Sequence, residues 1–276
     1  MTRKRREGPK SVVVLGVRVD AVTLDEAARM LLDQARAGRS GAGPSDQARA
    51  WRKEVAGRLL WLVVTPNPEI VMAARHDPEL RKILNRADLA VPDGIGLVWA
   101  ARRQGLDLPG RVAGYDLLRE VLARGAREGL RVFFLGAWPG VADEAARFCS
   151  HAFPGLVVVG THHGHFPPAD DEKVAATVAA ARPELVVVGM GSPRQEKWLA
   201  GYERLLSAEA AGLQVGFPVG GSLDVLSGRV SRAPAWAARL NLEWAVRVLS
   251  QPSRWRRAPA LARFVLAVLG QRRRAE

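Results

Sequence analysis

Six short apolar runs, each separated from the next by a longer polar or amphipathic stretch, constrain this chain more than any other feature. They are RLLWLVV (58–64), DLAV (88–91), RVFFLG (131–136), LVVVG (156–160), LVVVG (185–189) and LQVGFP (213–218). Runs this short and this uniformly apolar are buried on both faces, and helical patterns of ten or more residues lie between most of them. That combination predicts a mainly parallel sheet covered by helices, an α/β Rossmann-like core. An earlier run, SVVVLGVRV (11–19), also reads as a strand. The helix after it has a start signal, Thr23 followed three residues later by Glu26, the spacing of a capping box. The stretch PEIVMAARHDPELRKILNRA (68–87) reads as one helix.

Charge divides the chain further. The formal net charge is +13, of which residues 1–10 carry +4 and residues 229–276 carry +9, so residues 11–228 are neutral. The expected organisation is a basic extension over 1–10, an α/β core over 11–228 with a Gly/Ser/charge-rich insertion at 37–57, and an Arg/Trp-rich helical appendage over 229–276. Basic ends of this kind meet phosphate, on nucleic acid or on an anionic membrane. In the appendage Trp236, Leu240, Trp244 and Val248 form a stripe at four-residue spacing, which suits docking on the core as well as it suits a membrane. The run ALARFVLAVLG, flanked by Arg, is too short to span a bilayer but suits a helix lying in its interface. The basic start runs into an apolar stretch that breaks at Arg18 and Asp20, which is not the pattern of a signal peptide. One cysteine, Cys149, excludes an internal disulfide and fits a reducing compartment.

In a parallel sheet the loops after the strands collect at one edge, where ligands bind. Here those loops are TPNPE, PDGIG, GAWPG, GTHHGHF, GMGSPRQE and GFPVGGSLD, and RVAGYD follows close behind the second. They supply Thr65, Asn67, Asp93, Gln195, Glu196 and Arg111. Asp93 sits between a buried run and two glycines; it is placed either to act on a ligand or to cap the next helix. Glycine turns at helix starts suit a diphosphate, yet neither GAWPG nor GMGSPR is a dinucleotide fingerprint, and no Walker A lysine is present. A nucleotide-dependent dehydrogenase is therefore disfavoured. The histidines of THHGHF lack the ligand spacing of a zinc site, and the acids of PADDEK (168–173) suit a solvated helix start.

Five ordered stretches carry a family resemblance: TPNPEIVMAARHDPELRKILNRADLAVPDGIGLVWAAR, RVAGYDLL, FFLGAWPGVADEAA, PELVVVGMGSPRQEKWL, and VGGSLDVLSGRVSRAPAWAARLNLEWAVRVLSQPSRWRR. From about residue 11 to about residue 265 the chain resembles the WecG/TagA/CpsF glycosyltransferases, with their GT-E type fold. The extension before residue 11 and the length of 37–57 depart from the pattern. The resemblance implies an inverting transfer of N-acetylmannosamine from UDP-N-acetylmannosamine to N-acetylglucosaminyl-diphospho-undecaprenol, as in wall teichoic acid linkage-unit synthesis. Other members use N-acetylmannosaminuronic acid or glucose for other surface polysaccharides. It implies Asp93 as general base, Arg111 opposite the departing diphosphate, and Thr65 and Gln195 as substrate-orienting groups, to which Asn67 is added. It implies Arg247, Arg254 and Arg257 as contacts to the lipid diphosphate and the membrane. It implies no metal or other cofactor, because members of the family need no metal-binding DxD motif, and none occupies a suitable loop here. The expected setting is the inner face of the plasma membrane, held peripherally, with self-association among family traits. The reading from another class, a nucleic-acid binder using the Arg/Trp ends, leaves the neutral body and its polar loops without a purpose.

Overall fold

A computed structural model describes residues 9–37, 60–207, 213–234, 237 and 258–271. The insertion expected at 37–57, the first eight residues, the Trp236–Val248 stripe, and Arg247, Arg254 and Arg257 lie outside the described residues, apart from Ala37.

The chain begins with β1 (Ser11–Val14) and β2 (Val17–Asp20), then α1 (Leu24–Ala37) and β3 (Trp61–Val64). Next come α2 (Pro68–Ala74), α3 (Pro78–Arg86), β4 (Leu89–Ala90), α4 (Ile95–Arg103), α5 (Gly114–Ala126), β5 (Arg131–Gly136) and α6 (Val141–Ala152). After them follow β6 (Val157–His162), a 3₁₀ turn (Pro168–Asp170), α7 (Asp171–Ala180), β7 (Leu185–Gly189), α8 (Arg194–Gly201) and α9 (Glu203–Leu206). The last elements are β8 (Val215–Pro218), α10 (Ser222–Leu226) and α11 (Ala258–Gly270).

Six strands form one sheet in the order β4-β3-β8-β7-β5-β6, every pair parallel. This is the expected Rossmann-like core. Successive strand residues alternate between two apolar layers. Trp61, Val63, Val132, Phe134 and Val187 face one core with α1, α5 and α6. Leu62, Val64, Phe133, Leu135, Val186 and Val188 face the other with α2, α3, α4, α7 and α8.

Two local readings change. The run 11–19 is not one strand of the sheet but an antiparallel hairpin, because Leu15 (φ 49°) and Gly16 (φ 88°) reverse the chain inside it. The hairpin covers the outer edge of β4: the Asp20 carboxylate accepts from the Ala90 N–H at 2.8 Å and is paired with Arg18 at 3.1 Å. An exposed strand edge is thereby closed. The stretch 68–87 is two helices, since Asp77 caps the second by accepting from the Leu80 N–H at 2.9 Å and Pro78 occupies its first position. The capping box at Thr23 and Glu26 forms as its spacing predicts, the Thr23 N–H donating to Glu26 at 2.8 Å and the Glu26 N–H to Thr23 Oγ1 at 3.2 Å.

One glycine holds the sheet's carboxyl edge closed. Gly136 ends β5 at φ 142°, and a Cβ there would lie 2.5 Å from the Gly189 backbone of β7. Gly136→Ala must separate these central strands or abandon that dihedral. The expected cost is about 3 kcal/mol or more, read as a fall in the urea midpoint at unchanged slope.

Candidate active site

The carboxyl edge gathers the loops in the order of their strands. The loop after β3 holds Thr65, Pro66 and Asn67; the loop after β4 holds Pro92, Asp93 and Gly94. Backbone pairing continues past the two strands, with the Val91 N–H on the Val64 carbonyl at 2.9 Å and the Asp93 N–H on the Pro66 carbonyl at 3.0 Å. Asp93 is thus laid beside Thr65–Asn67. The Val112 N–H then donates to the Pro92 carbonyl at 2.9 Å, which brings Arg111 to the same corner. Gly114, first residue of α5, leaves only 3.2 Å between an added Cβ and the Thr65 methyl. Four of the anticipated residues, Thr65, Asn67, Asp93 and Arg111, therefore meet at one end of the edge, all half-buried.

The capping question turns on the helix that follows. The N-cap residue of α4 is Gly94, at φ 109°, which has no side chain to cap the helix, and Asp93 stands one residue before it. Asn67, by contrast, caps α2, its Oδ1 accepting from the Ile70 N–H at 2.9 Å, so some of its hydrogen-bonding capacity is structural.

Gln195 lies further along, in the first turn of α8, and is 2% exposed. Its Oε1 accepts from the Gly220 N–H at 3.0 Å and its Nε2 donates to Glu196 Oε1 at 2.9 Å. Both ends of the amide are engaged by protein, so in this structure Gln195 braces the β7 loop against the β8 loop. Glu196 is equally buried, and its pKa is raised above the usual carboxylate range because burial disfavours its charged form.

At the far end of the edge, the loops after β5 and β6 are laced by the Gly164 N–H on the Ala137 carbonyl at 2.8 Å. Trp138 projects there, 63% exposed, with the His165 ring stacked on it at 3.8 Å and 19°. His165 Nδ1 lies 3.0 Å from the Ala137 carbonyl, which holds the imidazole in place. Arg194 ties in the β7 loop by donating to the Gly164 and Phe166 carbonyls at 2.9 and 2.7 Å. Beside this end Asp224 has its pKa raised by burial, an effect that Arg229 and His165 partly offset.

The sequence profile of the glycosyl transferase WecG/TagA/CpsF family matches residues 12–276. The chain belongs to this family of glycosyltransferases. Among curated relatives, the N-acetylglucosaminyldiphosphoundecaprenol N-acetyl-beta-D-mannosaminyltransferase of Bacillus spizizenii is 40% identical over 212 residues, covering 76% of this chain and 79% of the relative. The enzyme of the same name from Bacillus subtilis strain 168 is 36% identical over 208 residues, 75% of this chain and 78% of the relative.

Two features of this glycosyltransferase were not singled out as site residues in the sequence. One is the Trp138–His165 stack; its only trace is an aromatic residue inside a Gly-bounded loop that follows a strand. The other is the seat of α11. Phe264 (0% exposed) and Val268 (3%) pack inward. α11 lies on α2, and the Phe264 ring comes within 3.6 Å of where a Gly96 Cβ would stand. The helix thus touches the first turn of α4, which follows the Asp93 loop, and the helix that Asn67 caps. Its outer side shows Leu266 and Leu269, 69% and 50% exposed. Among the described residues no helix is long and apolar enough to cross a membrane. The three histidines of the β6 loop do not converge: His165 lies on Trp138, while His162 tilts against His163 and its Nδ1 meets the His163 carbonyl.

Proposed function

We propose that this glycosyltransferase moves N-acetylmannosamine from UDP-N-acetylmannosamine to the N-acetylglucosamine of a diphospho-undecaprenol acceptor, with inversion, as a step toward a wall polymer. The names of the two Bacillus relatives support the sugar and the acceptor. The observation that carries the reading is the corner at Asp93, where backbone pairing lays a carboxylate beside Thr65–Asn67 and brings Arg111 to it.

In the proposed reaction Asp93 takes the proton of the acceptor hydroxyl as its oxygen attacks the anomeric carbon. The bond from that carbon to the β-phosphate oxygen breaks with its electron pair leaving on UDP. Arg111 offsets the charge that builds there. Thr65 and Asn67 orient the sugars from the β3 loop. The reaction is proposed to run without a divalent metal, so chelation by EDTA should leave the rate unchanged.

The donor is proposed to lie along the carboxyl edge. From β4 to β5 there are four strand spacings, roughly 19 Å at about 4.8 Å each, the reach of an extended nucleoside diphosphate sugar. With the sugar at Asp93, the uracil falls over the Trp138–His165 stack. Base stacking on an aromatic contributes about 1–3 kcal/mol. Trp138→Ala should therefore raise KM for the UDP-sugar about 5- to 150-fold while changing kcat little, measured by initial rates at saturating acceptor.

The acceptor's lipid requires a membrane, and α11 is the described element suited to one. Its inner face is held by the core, and its outer face shows Leu266 and Leu269 beside the exposed Arg263. The sequence places Arg254, Arg256 and Arg257 before it and Arg272, Arg273 and Arg274 after it. We place the protein peripherally on the inner face of the plasma membrane, with Arg247, Arg254 and Arg257 toward the lipid diphosphate, whose oxygens accept paired guanidinium N–H bonds.

The test is transfer from labelled UDP-N-acetylmannosamine to a short-chain N-acetylglucosaminyl diphospholipid, with UDP-N-acetylmannosaminuronic acid, UDP-glucose and UDP-N-acetylglucosamine as competing donors. Selective transfer of N-acetylmannosamine is expected. Turnover of a different donor would retain the reaction class and replace the sugar; turnover of none would remove the reading.

A further inference from the structure

Glu196 is a buried carboxyl to which the proposed reaction gives no task. It is 2% exposed, in the first turn of α8 one residue after Gln195. Its Oε1 accepts from Gln195 Nε2, its Oε2 makes no hydrogen bond of standard geometry among the described residues, and the Ser192 side chain stands close enough to favour the charged form. A group of this kind is costly to bury and adds nothing to packing that a methionine would not. The cost is understandable if the carboxyl acts on its neighbour.

An amide side chain has two ends that differ chemically, one acceptor and one double donor. Gln195 must present its oxygen to the Gly220 N–H, or that amide is left without its acceptor. The alternative orientation, turned by half a revolution, would point an N–H at an N–H. Glu196 reinforces the orientation that Gly220 requires. It offers Oε1 as an acceptor where the Gln195 nitrogen belongs, and a carboxyl keeps an acceptor oxygen whether it is ionised or, as burial favours, neutral. The relay therefore runs from Glu196 through Gln195 to the Gly220 backbone. It joins the β7 loop to the β8 loop beside β3, whose own loop carries Thr65. The same junction is tight elsewhere: a Cβ on Gly189 would lie 2.8 Å from the Gly220 carbonyl oxygen, and the Val219 N–H donates to the Val188 carbonyl at 2.8 Å. Such a joint transmits small displacements instead of absorbing them.

We propose that Glu196 is a positioning residue of this glycosyltransferase, which fixes the orientation of the Gln195 amide and through it the Gly220 backbone in the middle of the substrate edge. The proposal rests on the site assigned under the proposed function, but the joint itself is testable without activity.

The test uses the full chain and three single variants. Glu196→Met fills the volume and removes the acceptor; Glu196→Gln restores an acceptor oxygen in the same volume; Gln195→Ala removes the relay. Amide hydrogen exchange at Gly220 should be at least tenfold faster in Glu196→Met and in Gln195→Ala than in the parent, and should return toward the parental rate in Glu196→Gln. Unchanged exchange at Gly220 in Glu196→Met overturns the proposal, whatever the enzyme transfers. In the transfer assay Glu196→Met should lower kcat about tenfold to a hundredfold, as a small misplacement of positioned groups does, with KM for either substrate moving less than about threefold. Glu196→Gln should recover most of that loss. The double variant Glu196→Met/Gln195→Ala should be no slower than Gln195→Ala alone, because both act through one relay. Losses that multiply, or a parental kcat in Glu196→Met, would overturn it as well. If Glu196→Met does not fold, a Glu196→Gln variant with faster Gly220 exchange than Gln195→Ala overturns it in the same way. Faster Gly220 exchange together with a parent that transfers no sugar from any donor would sink the proposed function and leave the joint standing.

Discussion

Asp93→Asn should fold as the parent does and lose about 10²- to 10⁴-fold in transfer, the range a positioned general base contributes. The substitution keeps size and shape while removing the negative charge and the ability to take a proton. The N-cap residue of α4 is Gly94, so the substitution does not fall on the cap position. The Asp93 N–H to Pro66 carbonyl bond belongs to the backbone and survives. The loss should lie in kcat, with KM for the donor nearly parental, and the thermal midpoint should match the parent within a degree or two. Rates and calorimetry on one preparation separate the two quantities. A variant as fast as the parent would return Asp93 to a structural role and require another base. A variant that is slow and also several degrees less stable would show that the carboxylate holds the corner together.

The double variant Leu266→Asp/Leu269→Asp should release the protein from anionic vesicles. Full burial of a leucine side chain contributes about 1.5–3 kcal/mol, and these two are 69% and 50% exposed. Their joint contribution is about 2–4 kcal/mol, roughly 30- to 1000-fold in vesicle partitioning. Neither residue belongs to the inward face that seats Phe264 and Val268, so α11 should remain on α2. Flotation with phosphatidylglycerol vesicles measures the partition. Transfer to vesicle-embedded acceptor should fall in parallel, while transfer to a short-chain acceptor in solution should fall far less. Equal flotation of both proteins would show that the outer face of α11 is not what meets the membrane. Equal loss with both acceptors would point instead to a disturbed Phe264 contact at Gly96.

Much of this was written locally in the chain. Strand periodicity and the helices between the apolar runs determined a parallel sheet, and a parallel sheet determines where its loops gather. Thr23 with Glu26 announced the start of α1. Asp77 followed by Pro78 was an equally local signal that the 68–87 helix is broken, overlooked because the apolar pattern continues across it. The hairpin at 11–20 was harder to read, since nine residues of strand-like composition turn on Leu15 and Gly16 and only one of those is a turn residue. Asp93 was marked by its place between a buried run and two glycines, but that segment alone favoured helix capping over action on a ligand.

Tertiary structure decided the rest, because the deciding partners are distant in sequence. Strand order set Asp93 and Trp138 at opposite ends of one edge. Asp93 meets Thr65 and Asn67 through a backbone bond to Pro66, 27 residues earlier. Gln195, which looks in sequence like an open polar group beside a ligand, is held by Gly220, 25 residues on. Trp138 acquires a flat partner only where β5 and β6 pair and bring His165 over it. Residue types and periodicities determined which groups this chain presents at its carboxyl edge; which of them point outward, which are spent on holding loops together, and which cooperate depended on contacts that exist only once the sheet has closed.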